Sequence, residues 1–240
     1  MGLSDASHGR VITMRHEEKY ICCDRQLTVI EQRLKSVMPY DRNQTGDSYS
    51  IRSLYFDTES DRFYYEGLSG VDRRCKYRIR FYNMREDLIK LERKDSERNL
   101  KKKCSATITK EQTQGLLDGY GAADWKEPLC CEVHALMRSE RLHPVVIIEY
   151  RRTAYVYPVG NVRITIDRDI SYSSNVGDLL DANALMIPVM PRNKHILEVK
   201  YDGVIPGFIL SLLETGSLER TSYSKYVYAR DTMSNNGYFL

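Results

Sequence analysis

From Arg74 to Tyr82, positions 74, 76, 78 and 80 are cationic and 82 is tyrosine, while Cys75, Tyr77, Ile79 and Phe81 fall between them. A period of two puts successive side chains on opposite faces of an extended chain, so this segment predicts a strand with one basic and one apolar face. Lys90, Glu92 and Lys94 against Ile89 and Leu91 predict a second such strand, and Lys101 and Lys103 against Leu100 and Cys104 a third. A half-buried strand whose polar face meets water alternates in the same way, so one segment alone carries little. Three in succession carry more, because like charges at cross-strand spacing repel unless interleaved carboxylates or a bound polyanion offset them. The inversion predicts a barrel with its charged face turned inward.

The remaining pattern supplies strands over 11–21, 50–56, 145–157, 162–170 and 196–201. The short 158–161 connector predicts an antiparallel hairpin. Leu27, Ile30, Leu34 and Val37 keep helical spacing after Asp24, a candidate N-cap, and Pro39 ends that helix. A short helix or turn is expected over 57–65 and a helix capped by Thr109 over 109–117. Another is expected over 125–140 with Pro128 in its first turn, and two more near 208–213 and 223–232. Residues 1–9 are expected to be disordered. No repeat, low-complexity tract or long linker interrupts the pattern, so 1–240 reads as one domain. The fold class is α+β, an antiparallel eight-stranded closed tunnel barrel with peripheral helices; eight strands is the size at which a closed barrel can hold a ligand inside.

The formal charge of +3 is unremarkable, so the basic residues matter by where they cluster. Eighteen tyrosines against one tryptophan suit strands whose amphipathic rings sit where an apolar wall meets a polar space. No apolar run approaches the roughly 20 residues that cross a bilayer, and residues 1–10 lack a signal-peptide apolar core, which predicts a soluble, cytoplasmic protein. The six cysteines form no Cys-x-x-Cys, and Cys75 and Cys104 fall on apolar faces, which predicts buried thiols rather than disulfides or zinc ligands.

Other strands add to the same inward face: Arg15, Glu17 and Lys19; Arg163, Thr165 and Asp167; Glu198 and Lys200. Cations predominate, with carboxylates between them. That mixture suits a metal-chelated polyphosphate, in which Arg and Lys orient phosphate oxygens and a carboxylate holds a divalent cation. A nucleic-acid groove has little use for inward acids, and no RNA-binding motif accompanies the basic runs, so no nucleic-acid partner is expected. Nothing proposes a covalent nucleophile or a P-loop.

These residues resemble a known family, the VTC-type polyphosphate polymerase domain of the triphosphate tunnel metalloenzymes. The strings are Glu17-Glu18-Lys19-Tyr20, Ser53-Leu54-Tyr55-Phe56-Asp57, Tyr77-Arg78-Ile79-Arg80, Leu91-Glu92-Arg93-Lys94, Tyr150-Arg151-Arg152, Arg163-Ile164-Thr165-Ile166-Asp167, Leu197-Glu198-Val199-Lys200-Tyr201 and Ser224-Lys225-Tyr226. Each is weak alone, and their order and spacing over nearly the whole chain make the signal. The wider superfamily opens with Glu-x-Glu-x-Lys, whereas Arg15 stands where the first Glu would be, which leans toward the VTC-like branch.

The resemblance implies transfer of the terminal phosphate of a nucleoside triphosphate, ATP above others, onto a polyphosphate chain with Mn²⁺ or Mg²⁺. It implies catalytic contacts from Lys19, Arg78, Arg80, Lys94, Arg152 and Lys225, and metal binding by Glu198. Glu17, Lys90, Glu92, Lys103, Tyr150, Arg163, Lys200 and Ser224 complete the expected substrate-binding set. Lys102 is the alternative to Lys103: Leu100 and Cys104 put Lys102 on the apolar face, and one bulge would exchange the two. Asp167 has a plainer reading as an anchor for Arg163. A metal-dependent triphosphatase or polyphosphatase, and a non-catalytic polyphosphate-binding module, are the other functions this pattern admits. The chain is not expected to span a membrane, though a membrane-protein partner is compatible with the family.

Overall fold

The computed structural model describes residues 15–98, 100–120, 125–216 and 218–236. The expected disorder at 1–9 and the start of the strand expected from Val11 lie outside the described residues. Among these residues ten strands form one sheet: β1 (Arg15–Cys23), β2 (Tyr49–Asp57), β3 (Arg74–Tyr82), β4 (Ile89–Glu97), β5 (Leu100–Ile108), β6 (His143–Tyr157), β7 (Val162–Ser173), β8 (Ile187–Pro188), β9 (Lys194–Asp202) and β10 (Glu219–Arg220). They run in the order β10-β1-β9-β7-β6-β2-β3-β4-β5, with β8 beside β7 and every pairing antiparallel. The β6–β7 hairpin forms as expected, turning through a 3₁₀ segment at Val159–Asn161.

The eight-stranded closed barrel is corrected on two counts. Two more strands exist, β8 and β10, each two residues long and too short to show a period. Among the described residues, no backbone pairing joins β5 to β1, so the sheet curls without closing. An ion pair takes the place of a ladder there, with Lys101 Nζ 2.5 Å from Glu17 Oε2.

Among the described residues six helices lie around this sheet: α1 (Asp24–Lys35), α2 (Arg62–Ser69), α3 (Lys110–Leu117), α4 (Pro128–Ser139), α5 (Gly207–Leu213) and α6 (Lys225–Asn236). Thr109 caps α3 by accepting from the Gln112 N–H, and Pro128 occupies the first turn of α4. Cys23, not Asp24, is the N-cap of α1; the Gln26 side chain returns to the Cys23 N–H, and Asp24 lies in the first turn, where the helix dipole favours a carboxylate. No helix among the described residues is long and apolar enough to cross a membrane.

The core lies outside the sheet. Tyr77, Ile79 and Phe81 of β3 and Leu91 of β4 are buried with Leu116 of α3 and Leu129 and Val133 of α4. Ile164, Ile166, Leu197 and Val199 pack with Leu27, Ile30 and Leu34 of α1 and Ile209 of α5. Each such side chain contributes about 1.5–3 kcal/mol when removed from water. Helices therefore cover the apolar face of the strands, and the opposite face, with its charges, lines the interior.

Candidate active site

Inside the curl is a cavity of about 360 Å³, lined by side chains of β1 to β6 and β9, by the end of α2 and by the start of α6. Ten of its lining side chains are cationic and two, Glu17 and Glu198, are carboxylates. A wider groove of about 930 Å³ between α1 and residues 214–219 carries cations and carboxylates in near balance, so charge sets the smaller cavity apart.

The β3 wall presents Arg78 and Arg80 as residues two apart on one face. Arg80 donates from Nε to Ser53 Oγ (3.0 Å) and from Nη2 to Tyr150 Oη (3.2 Å). Arg78 donates from Nη1 to Tyr55 Oη (3.1 Å) and from Nε to Glu92 Oε2 (2.8 Å), its cross-strand partner on β4. Burial raises the Glu92 carboxyl, but Arg78, Arg80 and Lys103 outweigh it and hold the group down to about 2. Burial likewise raises the Tyr55 phenol, and Arg78, Arg80 and Lys76 bring it down to about 8. The fields that lower an acid here are those that would hold a phosphate.

Across the cavity, β1 and β9 form a checkerboard in which Glu17 faces Lys200 and Lys19 faces Glu198. Lys200 Nζ is 2.9 Å from Glu198 Oε1, and Arg152 Nη2 is 3.8 Å from Glu198 Oε2. Glu198 is 6% exposed; burial raises its pKa, but Lys200, Lys19, Arg152 and Lys225 drive it well below the usual carboxylate range. Asp167, fully buried on β7, accepts both arms of Arg152 at 2.6 and 2.7 Å and Lys225 Nζ at 2.5 Å. Arg152 and Lys225 also lie over the Tyr150 ring, at 5.2 and 4.7 Å from its centre.

The cations thus divide in two. Lys19, Lys200, Arg152, Lys225, Arg78 and Lys101 each have a carboxylate partner. Among the described residues, Arg74, Lys76, Arg80 and Lys94 line the cavity with none within 4.0 Å. Burial pulls the Lys94 ammonium down to about 7, with Glu17 opposing and Lys200, Lys19 and Arg78 adding to the fall.

Of the residues expected from the sequence, Glu17, Lys19, Arg78, Arg80, Lys94, Tyr150, Arg152, Glu198, Lys200, Ser224 and Lys225 line this one cavity. Glu92 stands behind Arg78, and Lys103, half exposed, pairs with Glu92. Lys90 and Arg163 are not among the lining residues. Arg163 is held by Asp41 (3.1 Å) and Tyr49, so Asp167 anchors Arg152 and Lys225 and not Arg163. Tyr55, Arg74, Lys76 and Lys101 line the cavity without having been named for the site. The alternation had placed Lys76 and Lys101 on the basic face, and that was the signal for them.

Could the site take a divalent cation? Among the described residues no three His, Cys, Asp or Glu side chains are grouped to hold one by themselves. Magnesium-like ions dehydrate reluctantly and are commonly held by one or two carboxylates plus substrate phosphates. Glu198 and Glu17, close enough for their charges to interact, supply that smaller donor set. The residues fit an ion that arrives with its phosphate ligand.

A Hippeastrum protein, described as an adenylyl cyclase with a dominant triphosphatase activity, shares the fold at a TM-score of 0.51 with 14% identity, over 90% of this chain and 96% of that one. A Pyrococcus horikoshii protein aligns over 91% of this chain and 99% of its own at 13% identity and a TM-score of 0.47. A Bacillus halodurans protein described as an adenylate cyclase covers 84% and 85% at 13% identity and a TM-score of 0.47. No curated protein matches. The VTC domain matches residues 14–234, nearly the whole length over which these strands and helices run, and this chain belongs to that family.

Proposed function

We propose that this chain is a polyphosphate polymerase-like phosphotransferase, moving the terminal phosphate of a nucleoside triphosphate, with ATP the expected donor, onto a polyphosphate chain. The observation that carries the reading is the excess of cations over carboxylates in a cavity built from seven strands. Phosphoryl transfer passes through a loose transition state with charge spread over the transferred oxygens, so positioned cations supply most of what catalysis requires. Arg78 and Arg80 orient the phosphates with rigid forks, and Tyr55, Ser53 and Tyr150 hold those forks in place. Arg152 and Lys225, locked by Asp167, close the opposite wall. A divalent cation, Mn²⁺ or Mg²⁺, held at Glu198 together with substrate oxygens would neutralise charge between neighbouring phosphates.

The test is a time course with ATP and Mn²⁺ or Mg²⁺, seeded with short polyphosphate, that resolves polyphosphate, orthophosphate and nucleoside diphosphate. Chains longer than the primer, formed in step with the diphosphate, are expected. Orthophosphate alone would replace the polymerase with a metal-dependent triphosphatase, and no turnover at all would leave a binding module.

A further inference from the structure

Lys76 lines the cavity with no carboxylate to neutralise it among the described residues. On its own sheet it stands directly opposite Lys94, and Lys94 stands opposite Lys103, so three lysines form one row across β3, β4 and β5. Like charges directly opposite one another are destabilising. Lys103 meets Glu92, and Lys94 feels Glu17. Lys76 has neither; among the described residues its hydrogen-bond acceptor is Ser224 Oγ at 2.8 Å, and the ring of Tyr226 lies 5.8 Å away. The nearby Glu66 is turned away, accepting from the Cys75 N–H and lying 3.8 Å from Arg62.

Gly67 of α2 lies beside this ammonium: a side chain there would place its first carbon 2.9 Å from Val227 of α6 and at an ordinary contact distance, 3.7 Å, from Lys76 Nζ, so glycine keeps the close α2–α6 packing next to Lys76. The cavity opens here, past the exposed Leu68 and Gly70 of the α2 end and Ser222 before α6. Along β3 the ladder Arg80, Arg78, Lys76, Arg74 spans roughly 20 Å at two residues per rung. That is longer than three linked phosphates.

We infer that Lys76 holds a phosphate of the chain beyond the triphosphate gripped at Arg78 and Arg80, and that the mouth between α2 and α6 is the polyphosphate end of the cavity. The inference rests on the phosphate-transfer reading for its biological sense, yet it concerns binding and is tested by binding. A long chain occupies Lys76 as well as the inner cations, whereas tripolyphosphate is satisfied by the inner ones. Burial weakens the charged form of Lys76, bringing its pKa down to about 8, and an added phosphate would restore it.

Calorimetric titration of the full chain with linear tripolyphosphate, and with a linear polyphosphate several times longer, reads this directly. The wild type should bind the longer chain at least tenfold more tightly per molecule. Lys76→Met should erase most of that ratio, and Lys76→Arg should keep it. No ion pair is lost with Lys76, so Lys76→Met should melt within a few degrees of wild type; Lys76→Gln gives a second reading should the methionine variant misfold. An unchanged ratio in the folded variants, or a wild type that does not distinguish the two ligands, overturns the inference whatever the turnover assay gives. A ratio that collapses as expected in a protein that makes no polymer leaves the inference standing and removes the polymerase.

Discussion

At the scale of single residues, the site depends on which charges are already paired. Glu198 is buried among four cations and faces the cavity, so Glu198→Gln keeps its shape and removes the charge an incoming metal would meet. Turnover across a Mn²⁺ titration should fall at least a hundredfold while the melting temperature stays within a few degrees; a variant with most of the wild-type rate would remove Glu198 from metal binding. Lys94 gives a pH signature. Its folded pKa of about 7 lies below the roughly 10.4 of an unfolded lysine, so between those values the unfolded chain binds more protons and the stability of the free protein rises with pH. Glu92 and Asp167, held down to about 2, act in another window, giving stability that is present above about pH 4.5 and lost as pH falls toward 2. A phosphate beside Lys94 favours its charged form. Tripolyphosphate binding at pH 8 should therefore take up protons, read as a dependence of binding heat on buffer ionisation enthalpy, and Lys94→Met should reduce the uptake; equal uptake in both proteins would contradict the assignment. Alternation in the sequence was enough to place Arg78, Arg80, Lys94 and Lys200 on one face. It could not say that Asp41, a loop residue 122 positions away in the chain, holds Arg163, because that contact depends on how a loop folds back.

Among elements, the strands were the most legible, since a period of two survives even when the usual placement of polar and apolar faces is reversed. Helix starts were less so. The α2 helix begins at Arg62 and not near 57, because Asp57 stays on β2 and its buried carboxylate accepts from the N–H groups of Thr58, Phe63 and Tyr64. The same carboxylate accepts from Tyr226 Oη of α6, and Arg230 of α6 reaches Asp61 at 2.7 Å. These contacts tie the two helices that frame the cavity mouth. Asp57→Asn removes the charge and turns one acceptor into a donor facing N–H groups, and should destabilise the protein by about 3 kcal/mol. Denaturant unfolding measures it; a loss under 1 kcal/mol would show that the clasp is dispensable.

For the whole molecule, the informative inversion is that the hydrophobic core lies between the sheet and its outer helices, which leaves the interior free for charge. Curling was legible from the repeated basic faces. Closure was not, because nothing in an alternating pattern says whether the end strands meet by backbone pairing or, as Lys101 and Glu17 do, by a side-chain bridge. The claim beneath all the others is that the phosphate chain lies inside this curl, against β3. Arg80 faces inward with a fork shared between Ser53 and Tyr150, and Arg73, just before the strand, is exposed. The most direct measurement is the affinity for tripolyphosphate of wild type, Arg80→Lys and Arg73→Ala at one ionic strength. Lysine keeps the charge but loses the fork, so Arg80→Lys should bind at least tenfold more weakly while Arg73→Ala stays within twofold of wild type. Equal losses in the two variants, or none in Arg80→Lys, would place the phosphates outside the sheet and contradict the account.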